Sequence, residues 1–187
     1  YDAEGNVSNG SDFITWTPIA DWMGNRTTQY SGTFDGNNKT VSGLYFNGDS
    51  TCIGLFGSSE SDGNIKNVGV VDSYFKGNDF VGGVCGHNDG IITNCYNAGN
   101  LTAIESSATV GGICGYNNGG TVTNCYNTGT VTATGSVASV GGVCGCSTEL
   151  ILNCYNIGTV TAASSDADIS GICGYNFGPI KNCYYLA

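Results

Sequence analysis

VGGICGYNNGGTVTNCYN, residues 110–127, decides the fold because the chain keeps repeating it. The same phrase reads VGGVCGHNDGIITNCYN at 81–97, VGGVCGCSTELILNCYN at 140–156 and SGICGYNFGPIKNCY at 170–184. Its first cysteines are Cys85, Cys114, Cys144 and Cys173, and its second are Cys95, Cys125, Cys154 and Cys183. Each step along either series is 29 or 30 residues. A copy without these cysteines, IGLFGSSESDGNIKNVGVVDSYFKG, starts at Ile53. A fainter one, YSGTFDGNNKTVSGLYFNG, starts at Tyr30.

A fixed period of this length is the signature of a solenoid, propeller or array. Within it lie three short segments: VGGVCG, IITNCYN, and a TVTA-like run followed by a variable polar insert. Runs of four to six residues rich in β-branched side chains, with Gly and Asn at their ends, are strands and turns. No stretch repeats apolar residues at helical spacing. The pattern therefore predicts an all-β, right-handed parallel β-helix (β-solenoid) of about six turns with three short strands per turn. Turns stacked about 4.8 Å apart give a rod roughly 30 Å tall. A propeller blade needs about 40–50 residues and four strands, which fits less well. The expected organisation is a lead-in or cap over 1–29, degenerate turns over 30–79, and cysteine-containing repeats over 80–187.

Comparing copies tells which side chains face inward. Ile65, Ile92, Val122, Ile151 and Ile180 share an apolar column and point to the core. Lys66, Thr93, Thr123, Leu152 and Lys181 follow them and point outward. Next come Asn67, Asn94, Asn124, Asn153 and Asn182, the same residue in five copies. Asn tolerates the left-handed conformation of a corner, and stacked amides hydrogen-bond along a solenoid. This column is read as a structural ladder.

The two cysteine columns hold Phe56 and Val68 in the copy that lacks them, so both face the core. Their spacing does not suit zinc, and a catalytic thiol would need a base, for which the chain offers one histidine, His87. Two readings stay open: buried free thiols, which are preferred, and disulfides within a turn. Cys52 and Cys146 fall outside both columns. Cys146 shares a slot with His87, Tyr116 and Tyr175, which suggests exposure.

Bulk composition narrows function. Five Lys+Arg against fifteen Asp+Glu give 187 residues a formal charge of −10. Such a chain lacks the cationic footprint of a nucleic-acid binder and is repelled by anionic membrane surfaces. No apolar run is long enough to span a bilayer. The chain begins at Tyr1 without a leader pattern, which is read as a fragment of a longer parent protein.

The repeat resembles the GLUG-motif repeats of bacterial surface proteins. IGLFG, VGGVCG and SGICG carry the resemblance, each followed by N-x-G-x-I-x-N or a close variant. WTPIADW…YSGTFDGNNKTVSGLY is similar to the segment that commonly precedes such arrays, and NCYYLA to a common end. The resemblance implies a secreted or wall-anchored protein at the bacterial cell surface, adhesin-like and often from the gut. Some relatives are the noncatalytic part of metalloproteases that cut immunoglobulin A. No HExxH occurs here, so that activity does not carry over.

Three functions compete for this sequence. The expected one is a non-catalytic extracellular module that acts in adhesion or as a stalk. Tyr96, Tyr126, Tyr155 and Tyr184 follow the second cysteine and point outward; with Tyr116 and Tyr175 they form an expected tyrosine strip for a host glycan or protein. The alternative is a carbohydrate-binding or polysaccharide-processing β-helix. Asp72, Asp89, Glu105, Glu149, Asp166 and Asp168 fall in different columns, so no acid–base pair is expected. Ice binding through Thr130, Thr132, Thr159 and Thr161 is disfavoured because the threonine row breaks outside two turns. No cofactor and no metal are expected, and no calcium loop of the EF-hand pattern occurs.

Overall fold

The computed structural model describes residues 14–20 and 29–186. The lead-in expected over 1–29 therefore lies mostly outside the described residues. Every strand pairing given by the ladders is parallel, and partners lie about one repeat apart: Cys85 pairs with Cys114, Cys114 with Cys144, and Cys144 with Cys173. The described residues contain strands and turns and no helix. The chain is thus a parallel β-solenoid of about six turns. The apolar column shows it, with Phe34, Ile65, Ile92, Val122, Ile151 and Ile180 in register.

Each turn passes through three sheets. The first holds Phe80–Gly82, Thr109–Gly111 and Ser139–Gly141. The second holds Cys85–Asn88, Cys114–Asn117 and Cys144–Ser147. The third takes the remainder of each turn. The three segments read from the sequence carry five short strands, because two of the segments bend. VGGICG bends after its paired glycines, between Thr109–Gly111 and Cys114–Asn117. TVTNCYN bends at Asn124, between Thr121–Thr123 and Tyr126–Asn127. In an earlier turn one strand, Asn64–Gly77, runs through the corner at Asn67 without a break.

The asparagine corner is as expected. Asn67, Asn94, Asn124, Asn153 and Asn182 all hold φ between +51° and +56°. Asn tolerates this region because its short polar side chain bonds locally. Asn182 donates its amide to Asn153 at 3.2 Å, Asn153 to Asn124 at 3.0 Å, and Asn94 to Asn67 at 3.1 Å.

A second asparagine ladder, buried, did not figure in the sequence reading. Asn97, Asn127 and Asn156 are fully buried. The Nδ2 of Asn97 donates to Oδ1 of Asn127, and Asn127 to Asn156, both at 2.8 Å. Each amide also closes a turn onto the glycine two residues on: Asn127 donates to the Gly129 carbonyl at 3.0 Å and accepts from the Gly129 N–H at 3.2 Å. A buried polar group is tolerated when it is bonded this fully. The second glycine of each pair makes room for it: a Cβ on Gly112 would run into the Asn127 side chain, and one on Gly142 into Asn156. A third ladder runs from Ser59 through Asn88 and Asn117 to Ser147, with steps of 2.7, 2.8 and 3.0 Å.

Inside these ladders lies a narrow core of Ile, Val and Cys. Ile65, Ile92, Val122 and Ile151 are fully buried, each worth about 1.5–3 kcal/mol of transfer free energy. At the N-terminal end an aromatic group closes the core: Tyr30 and Phe34 pack on Phe56 with ring centroids 4.8 and 5.2 Å away. Trp16 donates its indole N–H to the Gly54 carbonyl at 3.1 Å. The other end is open. Ile180, Tyr184, Tyr185 and Leu186 of the last described turn are exposed.

Candidate functional site

The cysteines come first because they are the chemically reactive groups of the repeat. Nine of the ten are buried, and Cys183 is half-buried. Cys85, Cys114, Cys144 and Cys173 stack in register on the second sheet and are buried in the core. The second column has a role that core filling alone does not describe. The backbone N–H of Cys95 donates to Sγ of Cys125, that of Cys125 to Cys154, and that of Cys154 to Cys183, each at 3.4 Å. Each thiol in turn donates to the carbonyl two residues back, at 3.1–3.3 Å. These cysteines follow the left-handed Asn, where the strand bends away. The sulfur of the next turn meets a corner N–H while also filling apolar space.

Cys146 corrects an expectation. It is buried, with 8% of its surface exposed. Its neighbours in the column are Tyr116 and Tyr175, which are larger and shade it from both sides. His87 is buried in the same column, with Phe80 and Tyr116 against it at centroid distances of 5.8 and 5.4 Å. Tyr116 stands between His87 and Cys146, so imidazole and that thiol do not form a nucleophile–base pair.

Burial pushes the thiols of Cys85 and Cys173 up to about 12. Those of Cys114 and Cys144 are raised too, by burial first and then by neighbouring thiols. In the unfolded chain such thiols ionise near 9. Between these values the unfolded state has released protons that the folded state still holds. The stability these four thiols contribute is therefore fully present below about pH 9 and is lost as pH rises towards 12. Urea midpoints measured from pH 8 to pH 11 should decline steadily, and thiol reagents at neutral pH should reach Cys183, the half-buried thiol, well before the others.

The six tyrosines separate into two groups. Tyr96, Tyr126, Tyr155 and Tyr184 form one stack on the third sheet, with centroids 4.8, 4.8 and 5.1 Å apart and planes within 2–5° of parallel. Tyr116 and Tyr175 lie on the second sheet. They do not join that stack, so the expected strip of six is a ladder of four. Its inner rings face one another. Their edges and hydroxyls are what they offer to solvent, together with the outer face of Tyr184. Burial and the flanking phenols raise the Tyr126 hydroxyl above its ordinary value.

At the lower end the tyrosine register continues into Gly69. The Tyr96 ring lies over that glycine, where a Cβ would meet it. Beside this point is a groove of about 260 Å³, between the tyrosines and the exposed asparagines. A second, more polar hollow of about 360 Å³ is lined by Gln29, Glu60, Ser61, Asp89 and Asn118.

Two carboxylates outside the six read from the sequence lie near members of that set: Glu60 shares the polar hollow with Asp89, and Asp79 lies near Glu105. Burial, with Glu105 nearby, pushes Asp79 up to about 6. Among the described residues no three His, Cys, Asp or Glu side chains gather as metal ligands. The variable inserts stack as well: Ser106 and Ser136 hydroxyls are 2.6 Å apart, and the Val137 N–H donates to the Ser106 carbonyl at 2.8 Å. Thr132 and Thr161 pair at 3.1 Å, and Thr123 donates to Thr93 at 2.9 Å.

These columns define a parallel β-solenoid repeat protein. Comparison with known proteins adds the type of repeat. The family model for the GLUG motif matches residues 106–132, a window of one turn that contains the phrase at 110–127. Halomucin of Haloquadratum walsbyi (strain DSM 16790 / HBSQ001) is 36% identical over 94 residues, 50% of this chain. The chain spans about 1% of that relative's length. No solved structure matches.

Proposed function

We propose that the chain is a non-catalytic module of a larger extracellular, cell-surface protein, a stiff stalk that also presents a recognition surface. One observation carries this reading. From turn to turn the side chains of the exposed and buried asparagines, the thiols and the tyrosines bond or stack mainly on their own counterparts. A solenoid built this way is held by nearest-neighbour contacts and lengthens by adding turns. The GLUG motif and the likeness to a short stretch of a far longer relative support a place within a large protein.

The test is to remove one turn. Deleting residues 111–140 joins Val110 to Gly141, and Val110 is already in register with Val140. A stalk should fold, shorten by about 4.8 Å and keep its surface location, with the parent protein's reach reduced in proportion. Hydrolysis or elimination of any polysaccharide by the intact chain, lost in the deletion, would overturn the proposal.

A further inference from the structure

The groove beside Gly69 lies where the exposed asparagine ladder is interrupted. Below it, Asn94 donates to Asn67, and Asn67 donates to Asp35 at 2.9 Å. Above it, Asn182 and Asn153 donate downward as far as the Oδ1 of Asn124. The step from Asn124 to Asn94 lacks its bond. The Nδ2 donors of Asn124 and the Oδ1 acceptor of Asn94 are left without a protein partner, on adjacent turns. Both residues line the groove, opposite Tyr96 and Tyr126.

The chemistry of this wall is specific. It offers an amide donor and an amide acceptor one strand apart, against aromatic edges and phenol hydroxyls. No carboxylate, ammonium or guanidinium lines it, although the chain as a whole is strongly acidic. A sugar ring matches such a wall, because its hydroxyls both donate and accept while its C–H groups pack on aromatic carbon. The volume of about 260 Å³ falls below the ~300 Å³ at which drug-sized sites begin, so one ring fits and a folded partner does not. A peptide strand would need free backbone edges, and here the sheet's backbone is paired on both sides by the neighbouring turns. We infer that this groove binds one ring of a neutral glycan, with Asn94 and Asn124 as the bridging amides and Tyr96 and Tyr126 as the apolar wall. The inference rests on the recognition surface proposed above and names its ligand class.

The probes are neutral oligosaccharides of glucose, galactose, mannose and N-acetylglucosamine, titrated into the whole chain with side-chain amide resonances as the readout. Saturable shifts confined to Asn94, Asn124 and their neighbours are expected for at least one sugar. Glycine keeps the left-handed corner at no steric cost, so Asn94→Gly with Asn124→Gly removes the amides and retains the fold, which circular dichroism verifies. That double variant should weaken binding at least tenfold, and Asn153→Gly should leave it unchanged. Absence of any sugar binding overturns the inference and leaves the stalk standing. So does binding that survives the double variant, or that is seen for peptides alone. Cleavage of the sugar would instead overturn the non-catalytic reading.

Discussion

Asn127→Leu should cost about 3–5 kcal/mol of folding stability, several times more than Asn124→Gly three residues earlier. Asn127 is fully buried, and its one amide serves three partners. Leucine has a similar size and can donate nothing. The change strands an N–H of Asn97 and the backbone N–H of Gly129 in a dry interior, and removes one donor from Asn156 and one from the Gly129 carbonyl. Each buried group left unbonded costs about 1–3 kcal/mol. Asn156 keeps the Gly158 N–H at 3.0 Å, which limits the total. At Asn124 the amide is exposed, and glycine accepts φ of +53° more readily than asparagine does; the loss there should stay below about 1 kcal/mol. Denaturant melts of the two variants, compared at equal slope, check the contrast. Equal losses would show that the buried ladder carries no special weight.

Gly115→Ala should be as damaging, for a steric reason. Glycine stands at this place in five successive turns: Gly57, Gly86, Gly115, Gly145 and Gly174. A methyl on Gly115 would sit 2.7 Å from the Gly86 carbonyl oxygen, 2.7 Å from the Val81 nitrogen and 2.8 Å from the Phe80 carbonyl carbon. All three are backbone atoms of the preceding turn, and each is held by its own ladder. No side chain can swing aside, so the turn must lift off its neighbour. Overpacking of this kind costs about 3 kcal/mol or more when the backbone has to move. Thermal unfolding of the variant should begin well below that of the parent. By contrast Gly119, where the nearest atom to an added Cβ is the Asp89 carboxylate oxygen at 4.0 Å, has space, and its penalty should come only from φ of +83°.

How much of this was legible beforehand depends on what repetition can express. The period, the inward Ile column and the Asn corner follow from comparing copies, since a residue held in register in every turn must meet its own image. The paired glycines and the terminal Asn of NCYN were visible in the same comparison. Their meaning was not, because it depends on a contact across the rod: Asn127 crosses to lie against Gly112. The second cysteine read as core filler, which is true as far as it goes. That its sulfur accepts a corner N–H depends on the direction of one backbone bond, which spacing does not express. Cys146 was misplaced because exposure was inferred from its column-mates Tyr116 and Tyr175. A small side chain between two large ones is shaded rather than displayed. The tyrosines show the same limit. Tyr116 and Tyr126 look alike in sequence, yet two bends in the chain set them on different sheets.

The central claim is that each repeat makes one turn and that the turns stack in parallel. Asn47, Lys76, Thr102, Thr132 and Thr161 occupy one column on successive turns. Asn47 and Thr161 are both exposed. Spin labels placed there, 114 residues apart in sequence, are separated by four turns. Pulsed dipolar spectroscopy should give a single narrow distance near 19 Å, four steps of about 4.8 Å. A broad distribution, or a distance well beyond 30 Å, would contradict the stacked solenoid.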